Sequence, residues 1–221
     1  MKSSKQKGFI VGGVLILAFI LWTVLIQCVD VQPVGVNGTK VGFASFNTWF
    51  HQLTGANMSI YTITDWLGAV PILVCLGFGA LGLVQWIKRK SLLKVDRDIL
   101  LLGGYYILVI LAYLVFEKIP INYRPILIEG AQEVSYPSST TLLVLSVMPT
   151  LIFQVNRRAK SEQIKRITGI CTVVFTIFMV VGRLISGVHW FSDIVGGVLL
   201  STGLYLLYRT AAQAAIEKEG K

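Results

Sequence analysis

Charged residues are scarce in this 221-residue chain, at 14% against 54% hydrophobic residues, and the mean hydropathy is +0.71. Soluble domains carry roughly a quarter charged residues, so the composition excludes an ordinary soluble protein and predicts a polytopic membrane protein. The net charge of +9 does not indicate nucleic-acid binding, because the basic residues lie in short segments that flank apolar runs, as in the positive-inside pattern of membrane proteins. We expect no nucleic-acid partner.

Cysteine and histidine are also rare, with three and two residues respectively. Cys28, Cys75 and Cys171 lie in or beside apolar runs, with neither paired spacing nor a nearby histidine, which argues against a disulfide framework and the usual metal-ligand patterns. The chain also lacks a glycine-rich phosphate loop, an internal repeat and a low-complexity linker. We therefore expect a single membrane domain over residues 1–221 that uses no metal and no cofactor.

Long apolar runs dominate the chain. A membrane-spanning helix needs about 20 mostly apolar residues, and six runs qualify. The first run has the polarity of a signal peptide but is long and lacks a small-residue cleavage site, so we expect it to remain as a span. The sequence predicts an all-α integral membrane protein whose six transmembrane helices cover residues 8–29, 67–87, 99–117, 139–155, 167–186 and 193–208.

The basic residues predict the orientation of these spans. An even number of spans places both termini on one side, and all but four of the 20 Lys and Arg residues fall on that side. The positive-inside rule assigns this side to the cytoplasm, so we expect a multi-pass plasma-membrane protein with both termini in the cytoplasm. The four exceptions are Lys40, Lys118, Arg124 and Arg183.

The longest connection, residues 30–65, is predicted to be an extracytoplasmic loop. It contains apolar residues at helical spacing, which predict a short amphipathic helix. Two placements fit the pattern equally well: the helix lies in the lipid headgroup region, or it packs over the bundle. His51 in this segment has no recognisable partner in the sequence. The apolar residues are Phe43, Phe46, Phe50 and Leu53.

Three polar clusters lie at the predicted outer ends of the later spans: Lys118–Pro125, Tyr136–Thr140 and Arg183–Asp193. Ionisable residues near the bilayer are costly and mark functional sites, and packing of the last four spans would bring these clusters together. Ser138 and Ser139 in the second cluster open the fourth span, where the free N–H groups of a helix start attract anions.

The residue types in these clusters are those of phosphoryl transfer. His189 and Asp193 are four residues apart and would share a helix face, so that the carboxylate orients the imidazole and stabilises its charged form. Arg124 and Arg183 supply planar guanidinium forks that suit phosphate oxygens. This set predicts phosphoryl transfer through a phosphohistidine intermediate at the outer face.

The three clusters resemble the signature of the type 2 phosphatidic acid phosphatase (PAP2) family, lipid phosphatases related to vanadium haloperoxidases. The family pattern is Lys, six residues, Arg-Pro; then Pro-Ser-Gly-His; then Ser-Arg, five residues, His, three residues, Asp. The resemblance covers residues 98–208 and implies a PAP2-like helical bundle around a catalytic core. The matching residues are Arg124-Pro125, Pro137-Ser138, Arg183, His189 and Asp193.

The resemblance also implies a role for each matching side chain. His189 would be the nucleophile and Asp193 would orient it, while Arg124, Arg183 and Ser138 would bind phosphate. The expected substrate is a lipid phosphate taken from the outer leaflet.

Two departures from the pattern concern the first and third motifs. Gly182 replaces the serine of the third motif, which removes only an auxiliary hydrogen bond. Lys118 is one residue too near to Arg124, and Glu117 occupies the matching position. Lys118 can therefore contact phosphate only if the backbone at Pro120 compensates for the one-residue difference in spacing.

The third departure removes an acid: Thr140 stands where the family has the histidine that protonates the leaving group, and Ser139 replaces the glycine before it. General acid catalysis contributes roughly 10²- to 10⁴-fold. A lipid monophosphate, with a second pKa of about 6, leaves with little need of a proton. We therefore expect a diphosphate such as undecaprenyl diphosphate to be favoured over phosphatidate or phosphatidylglycerophosphate. The alternative is a family member that binds or moves lipid phosphates without hydrolysing them.

Overall fold

The computed structural model describes residues 2–219, with side chains at residues 5–217. Within this range the chain is helical and its only β-pairing is in isolated bridges. The all-α prediction is confirmed. The helices are α1 (Lys2–Cys28), α2 (Ala44–Thr54), α3 (Met58–Leu67), α4 (Ala69–Arg89), α5 (Arg97–Lys118), α6 (Ser139–Arg158), α7 (Glu162–Ile185) and α8 (Phe191–Glu219).

Six helical segments are long and apolar enough to cross a membrane, which confirms the predicted number of spans. Five of them are single helices, and the sixth, Met58–Arg89, consists of α3 and α4 joined at Gly68. Lys5 at the start of α1 forms an ion pair with Glu217 near the end of α8. Both ends of the described chain therefore lie at the same end of the bundle.

The structure differs from the sequence prediction at the start of the second span. The prediction left residues 58–65 in the outer loop, whereas α3 begins at Met58. The Asn57 side chain caps this helix by accepting a hydrogen bond from the Ile60 N–H. Thr64 donates its hydroxyl hydrogen to the Ile60 carbonyl within the helix. Because polar residues of this kind interrupt the apolar run, hydropathy alone places the helix start too late.

Helix α8 lies at the centre of the bundle and packs against α1, α5 and α6. Its core partners include a group of stacked aromatic rings. Tyr136 and Phe19 have nearly parallel rings with centroids 6.1 Å apart, and Tyr105 and Tyr208 stack at 4.7 Å. Because the second polar cluster begins at Tyr136, this aromatic core fixes the cluster against α8.

The predicted amphipathic helix of the outer segment is α2, and it packs over the beginning of α8. The buried Asn47 side chain donates a hydrogen bond to the Ser192 hydroxyl at 2.9 Å. Phe46 contacts the Phe191 ring edge-on at a centroid distance of 5.1 Å. Trp49 and Leu53 remain 55% and 68% exposed, so the helix packs on the bundle with one face and leaves an apolar edge uncovered.

Candidate active site

The three polar clusters meet around a cavity of about 380 Å³ at the end of the bundle where α5 and α7 end and α6 and α8 begin. Three predicted site residues contribute to it: Arg124 from the loop after α5, Ser139 at the start of α6, and His189 before α8. The segment before α6 adds Ser135, which was not predicted. The cavity is within the usual size range of small-ligand sites.

His189 lies in the turn between α7 and α8, and its side chain is buried. Its Nδ1 is 3.1 Å from the Ser135 carbonyl oxygen and 3.9 Å from Asp193 Oδ2. Since a carbonyl oxygen only accepts, Nδ1 carries the proton and Nε2 carries the lone pair. Nε2 is buried with no hydrogen-bond partner among the residues described.

The predicted helix-face pairing of His189 with Asp193 is wrong in its geometry. His189 precedes the first residue of α8, Phe191, so the two side chains do not lie on one helical turn. The nearer partner of Nδ1 is the Ser135 carbonyl, which no sequence motif identifies because it is a backbone group. The carboxylate is close enough to act on the ring through its charge but not through a direct hydrogen bond.

Burial lowers the pKa of His189 to about 4, with the positive charge of Arg124 acting in the same direction and Asp193 opposing it. The imidazole is therefore neutral at pH 7. A neutral ring with a free Nε2 lone pair is the form in which a histidine can attack phosphorus.

Asp193 connects the three clusters, and its side chain is fully buried. Oδ1 accepts a hydrogen bond from Asn122 Nδ2 at 2.9 Å, and Oδ2 accepts one from the Trp190 N–H at 3.0 Å. The backbone carbonyl of Asp193 accepts from the Ser138 N–H at 3.1 Å. These hydrogen bonds fix the carboxylate in one orientation and join the loop after α5, the start of α6 and the start of α8.

Arg183, in the last turn of α7, is only 2% exposed, and each of its three guanidinium nitrogens makes one polar contact. Nε donates to the Thr140 hydroxyl at 2.8 Å, and Nη1 donates to the Tyr61 carbonyl at 3.4 Å. Nη2 forms an ion pair with Asp65 Oδ1 at 2.8 Å. The guanidinium also lies over the Tyr61 ring, 4.8 Å from its centroid, in a cation–π contact.

Arg124 is less completely engaged. Its Nε is 2.9 Å from Glu133 Oε2 but is not directed along a hydrogen bond to it, and its Nη1 is buried without a partner among the residues described. The backbone N–H of Arg124 donates to the Glu133 carbonyl at 3.0 Å, which fixes the loop. Arg124 therefore presents unused donors towards the cavity, whereas Arg183 does not.

Helix α3 reaches Arg183 because Gly182 lets it approach α7. A Cβ at Gly182 would lie 2.7 Å from the Thr64 methyl carbon, so only glycine leaves room for this contact. Tyr61 and Asp65, four residues apart on α3, then share the face that meets the guanidinium. Sequence analysis missed both residues, although an acidic side chain at the edge of an apolar span is itself a functional signal.

The remaining predicted residues have different positions. Ser138 is buried as the N-cap of α6, where its hydroxyl accepts from the Thr141 N–H at 3.4 Å, and it does not line the cavity. Lys118 is exposed at the end of α5 and does not line it either, whereas Glu117 does. Lys118 is therefore not placed to make the predicted phosphate contact in this cavity.

His51 also lies outside the cavity lining. Its ring contacts the Trp190 ring edge-on at 5.7 Å, and its Nδ1 has no hydrogen-bond partner among the residues described. Burial lowers the pKa of His51, so this ring too is neutral at pH 7. His51 therefore contacts Trp190, the residue that follows His189 in the sequence, and does not contact the cavity itself.

A second cavity, of about 620 Å³, adjoins the first between α4, α5 and α6. It shares Tyr113, Ser139 and Leu142 with the first cavity, and Thr140 and Asp65 stand at the polar end. The rest of its lining is mainly apolar, with residues such as Ile72 and Ile110. A polar pocket continued by an apolar groove is suited to an amphipathic ligand.

Comparison with known proteins gives one solved structure with a similar fold. It is the crystal structure of a transmembrane PAP2-type phosphatidylglycerolphosphate phosphatase from Bacillus subtilis, with 22% sequence identity over 94% of this chain and 96% of that chain, and a TM-score of 0.63. No curated protein sequence matches significantly. The family model for the PAP2 superfamily matches residues 101–217, more than half of the chain. The chain therefore belongs to the PAP2 superfamily.

Proposed function

We propose that this protein hydrolyses a lipid phosphate or diphosphate through a phosphohistidine intermediate. The observation that carries this proposal is the buried, neutral His189, whose Nε2 has no partner among the described residues and which shares a 380 Å³ cavity with Arg124. A site that only binds phosphate needs the arginine but not a histidine held with its lone pair free. The adjoining apolar groove supports a lipid as the substrate.

The reaction follows from these positions in two steps. Nε2 of His189 attacks phosphorus, the bond to the leaving oxygen breaks, and that oxygen takes the electron pair. The Ser135 carbonyl and the Asp193 carboxylate stabilise the positive charge that develops on the ring. Water then attacks the phosphoryl group, the P–N bond breaks, and neutral His189 is restored with release of phosphate. Arg124 donates to the phosphoryl oxygens throughout.

The leaving group determines which lipid reacts fastest. Thr140 cannot act as an acid, because its hydroxyl does not release a proton near neutral pH; its oxygen accepts the Arg183 Nε–H. A polyprenyl diphosphate expels a lipid monophosphate that needs little protonation. Phosphatidate and phosphatidylglycerophosphate expel alkoxides and are expected to react more slowly. Phosphatidylglycerophosphate is a necessary comparison because the structurally similar Bacillus subtilis protein is described as its phosphatase.

The site is proposed to act on the outer leaflet of the plasma membrane. The distribution of basic residues supports this orientation, since most lie at the end of the bundle opposite the cavity. The ion pair between Lys5 and Glu217 places the ends of the first and last spans together at that opposite end. A substrate lipid would enter from the bilayer through the groove between α4, α5 and α6.

The test is phosphate release by the purified protein in detergent, with undecaprenyl diphosphate, phosphatidylglycerophosphate and phosphatidate in parallel and with chelator present. Release from the diphosphate should exceed release from the other two. It should vanish in His189→Ala but persist in His51→Ala, the matched change at the second histidine of the chain. Faster release from phosphatidate than from the diphosphate would contradict the leaving-group argument.

The second candidate is a lipid-phosphate binding or transport protein. One observation favours it: Arg183 is held by Thr140, Tyr61 and Asp65 and does not line the cavity, so this arginine is not placed to bind a transition state there. Absence of release from all three lipids, with saturable binding that survives His189→Ala but not Arg124→Ala, would replace hydrolysis by binding.

A further inference from the structure

A third cavity, of about 400 Å³, lies between α6 and α8 far from the active site. Two arginines, Arg157 on α6 and Arg209 on α8, line it together with the amide side chains of Asn156 and Gln213. Arg209 is 18 residues beyond Phe191 at 1.5 Å per residue, or about 27 Å along α8 from the end that holds His189. The cavity therefore faces the other membrane surface.

The acidic residues at this end already have cationic partners. Asp98, fully buried, is paired with Arg158 Nη1 at 2.8 Å, while Arg157 approaches the same carboxylate only to 3.5 Å. Asp96 is shared between Arg89 and Arg158. Three arginines, Arg89, Arg157 and Arg158, thus face two carboxylates, so one positive charge remains in excess beside the cavity.

The second arginine has no counter-charge of its own. Arg209 is exposed and forms no hydrogen bond or ion pair within the part of the chain that the structure describes. Glu217, the carboxylate nearest to it along α8, is paired with Lys5 on α1. Among the described residues the cavity therefore has an excess of positive charge, with Arg209 unpaired and Arg157 sharing Asp98 with Arg158.

The cavity has an apolar part beside these charges. Ile152 and Phe153 lie one turn nearer the bilayer centre than Arg157 on α6, and Tyr205 lies one turn before Arg209 on α8. The Tyr205 hydroxyl donates to the Pro149 carbonyl at 3.3 Å, which links α8 to α6 at this level. Cations and amides at the surface with apolar side chains below match the order of groups in a phospholipid.

We propose that this cavity binds the phosphate headgroup of an anionic phospholipid in the leaflet opposite the active site. The two guanidiniums bind the phosphodiester, and the amides of Asn156 and Gln213 hydrogen-bond the polar headgroup beyond it. The acyl chains lie along Ile152 and Phe153. This site is independent of the proposed catalytic reaction, because none of its residues lines the active-site cavity.

The test is native mass spectrometry of the full chain with phosphatidylglycerol and phosphatidylcholine of identical acyl chains. The wild type should retain phosphatidylglycerol in preference. Arg157→Gln and Arg209→Gln should each lower that preference about fivefold, as expected for the loss of one cation from a lipid headgroup site. The control is Lys94→Gln with Lys160→Gln, which removes two exposed cations from connections at the same end of the bundle.

Two results would contradict the proposed lipid site. Equal retention of the two lipids, or an equal loss of preference in the lysine control, would mean diffuse surface charge and no site. Free glycerol phosphate that competes with phosphatidylglycerol at equal concentration would show that the cavity takes a soluble phosphate, and would overturn the lipid assignment. Arg209→Gln, which breaks no hydrogen bond or ion pair in the described structure, keeps the test valid if changes at Arg157 disturb the fold.

Discussion

In the proposed reaction Thr140 stands where the family pattern has the proton donor to the leaving group, and its hydroxyl accepts a hydrogen bond from Arg183 Nε at 2.8 Å. It also lines the apolar groove, where a larger side chain has room to extend. We predict that Thr140→His raises the rate with phosphatidate by roughly 10²-fold, because general acid catalysis is restored. The rate with undecaprenyl diphosphate should change little, since its leaving group needs no proton.

The matched control for this change is Thr140→Gln, which has similar bulk but no acid. Phosphate release from both lipids is measured for the three proteins at equal concentration. A gain that glutamine reproduces, or one of equal size with both lipids, would show that the substitution acts through packing or through Arg183 and not through proton transfer.

The ionisation of His189 gives a second test at this scale. Burial lowers its pKa to about 4, below the ordinary value of about 6.5. The neutral nucleophile is therefore retained between pH 6.5 and pH 4, where a free imidazole would be protonated. By linkage the unfolded chain binds the proton first, so the free energy of unfolding falls as pH falls across this window.

The measurement is ¹⁵N NMR of histidine-labelled His51→Ala protein, in which His189 is the single remaining histidine of the chain. We expect the resonance of neutral imidazole to persist to about pH 5, with a midpoint near the pKa of about 4. A midpoint at 6.5 or above would mean that Asp193 outweighs burial, and would remove the argument for a neutral ring.

Single residues were predictable where chemistry depends on side-chain type. His189, Arg124 and Ser139 all line the cavity, and the roles assigned to them stay predictions. Two features escaped sequence reasoning for a physical reason. The partner of His189 Nδ1 is a backbone carbonyl, which carries no sequence signal. The register of Lys118 depends on where α5 ends, and helix termini are the least predictable part of a helix.

At the scale of helices, the contact between α3 and α7 explains why motif three departs from the family pattern. Thr64 is fully buried against Gly182, and a Cβ there would meet the Thr64 methyl carbon at 2.7 Å. We predict that Gly182→Ser, which restores the family residue, lowers stability by about 1–3 kcal/mol through overpacking. It should also displace Asp65 from Arg183, because both contacts depend on the position of α3.

The compensating change is Thr64→Ser, which removes the clashing methyl group and keeps the hydroxyl that bonds the Ile60 carbonyl. The double variant should recover most of the melting temperature lost in Gly182→Ser, as expected for residues in direct contact. Thermal unfolding in detergent measures all three variants and the wild type. Additive losses in the double variant would show that the two positions do not meet.

Helix α3 is the helix that the sequence did not predict. Apolar length was sufficient to predict α1, α5 and α7, because each carries an uninterrupted hydrophobic run. The segment Met58–Leu67 contains threonines, an aspartate and a tyrosine, and its helical character depends on the Asn57 cap and on packing against α7. Tertiary contacts of this kind are not visible in a local pattern.

At the scale of the whole molecule, orientation in the membrane determines which leaflet supplies the substrate. The cavity and the cation-rich connections lie at opposite ends of the bundle, and the positive-inside rule places the connections in the cytoplasm. We test this with single cysteines in a background where Cys28, Cys75 and Cys171 are serine. The introduced changes are Lys40→Cys, Lys94→Cys and Lys160→Cys, each at an exposed lysine outside the long helices.

An impermeant maleimide applied to intact cells should label Lys40→Cys, because this position lies in the outer segment between α1 and α2. Lys94→Cys and Lys160→Cys should be labelled only after permeabilisation, since they lie in the connections from α4 to α5 and from α6 to α7. Each variant loses one lysine, so the three are matched in charge. The reverse pattern would place the cavity at the cytoplasmic face, where a phosphohistidine enzyme would act on inner-leaflet lipids and could not process a carrier released outside.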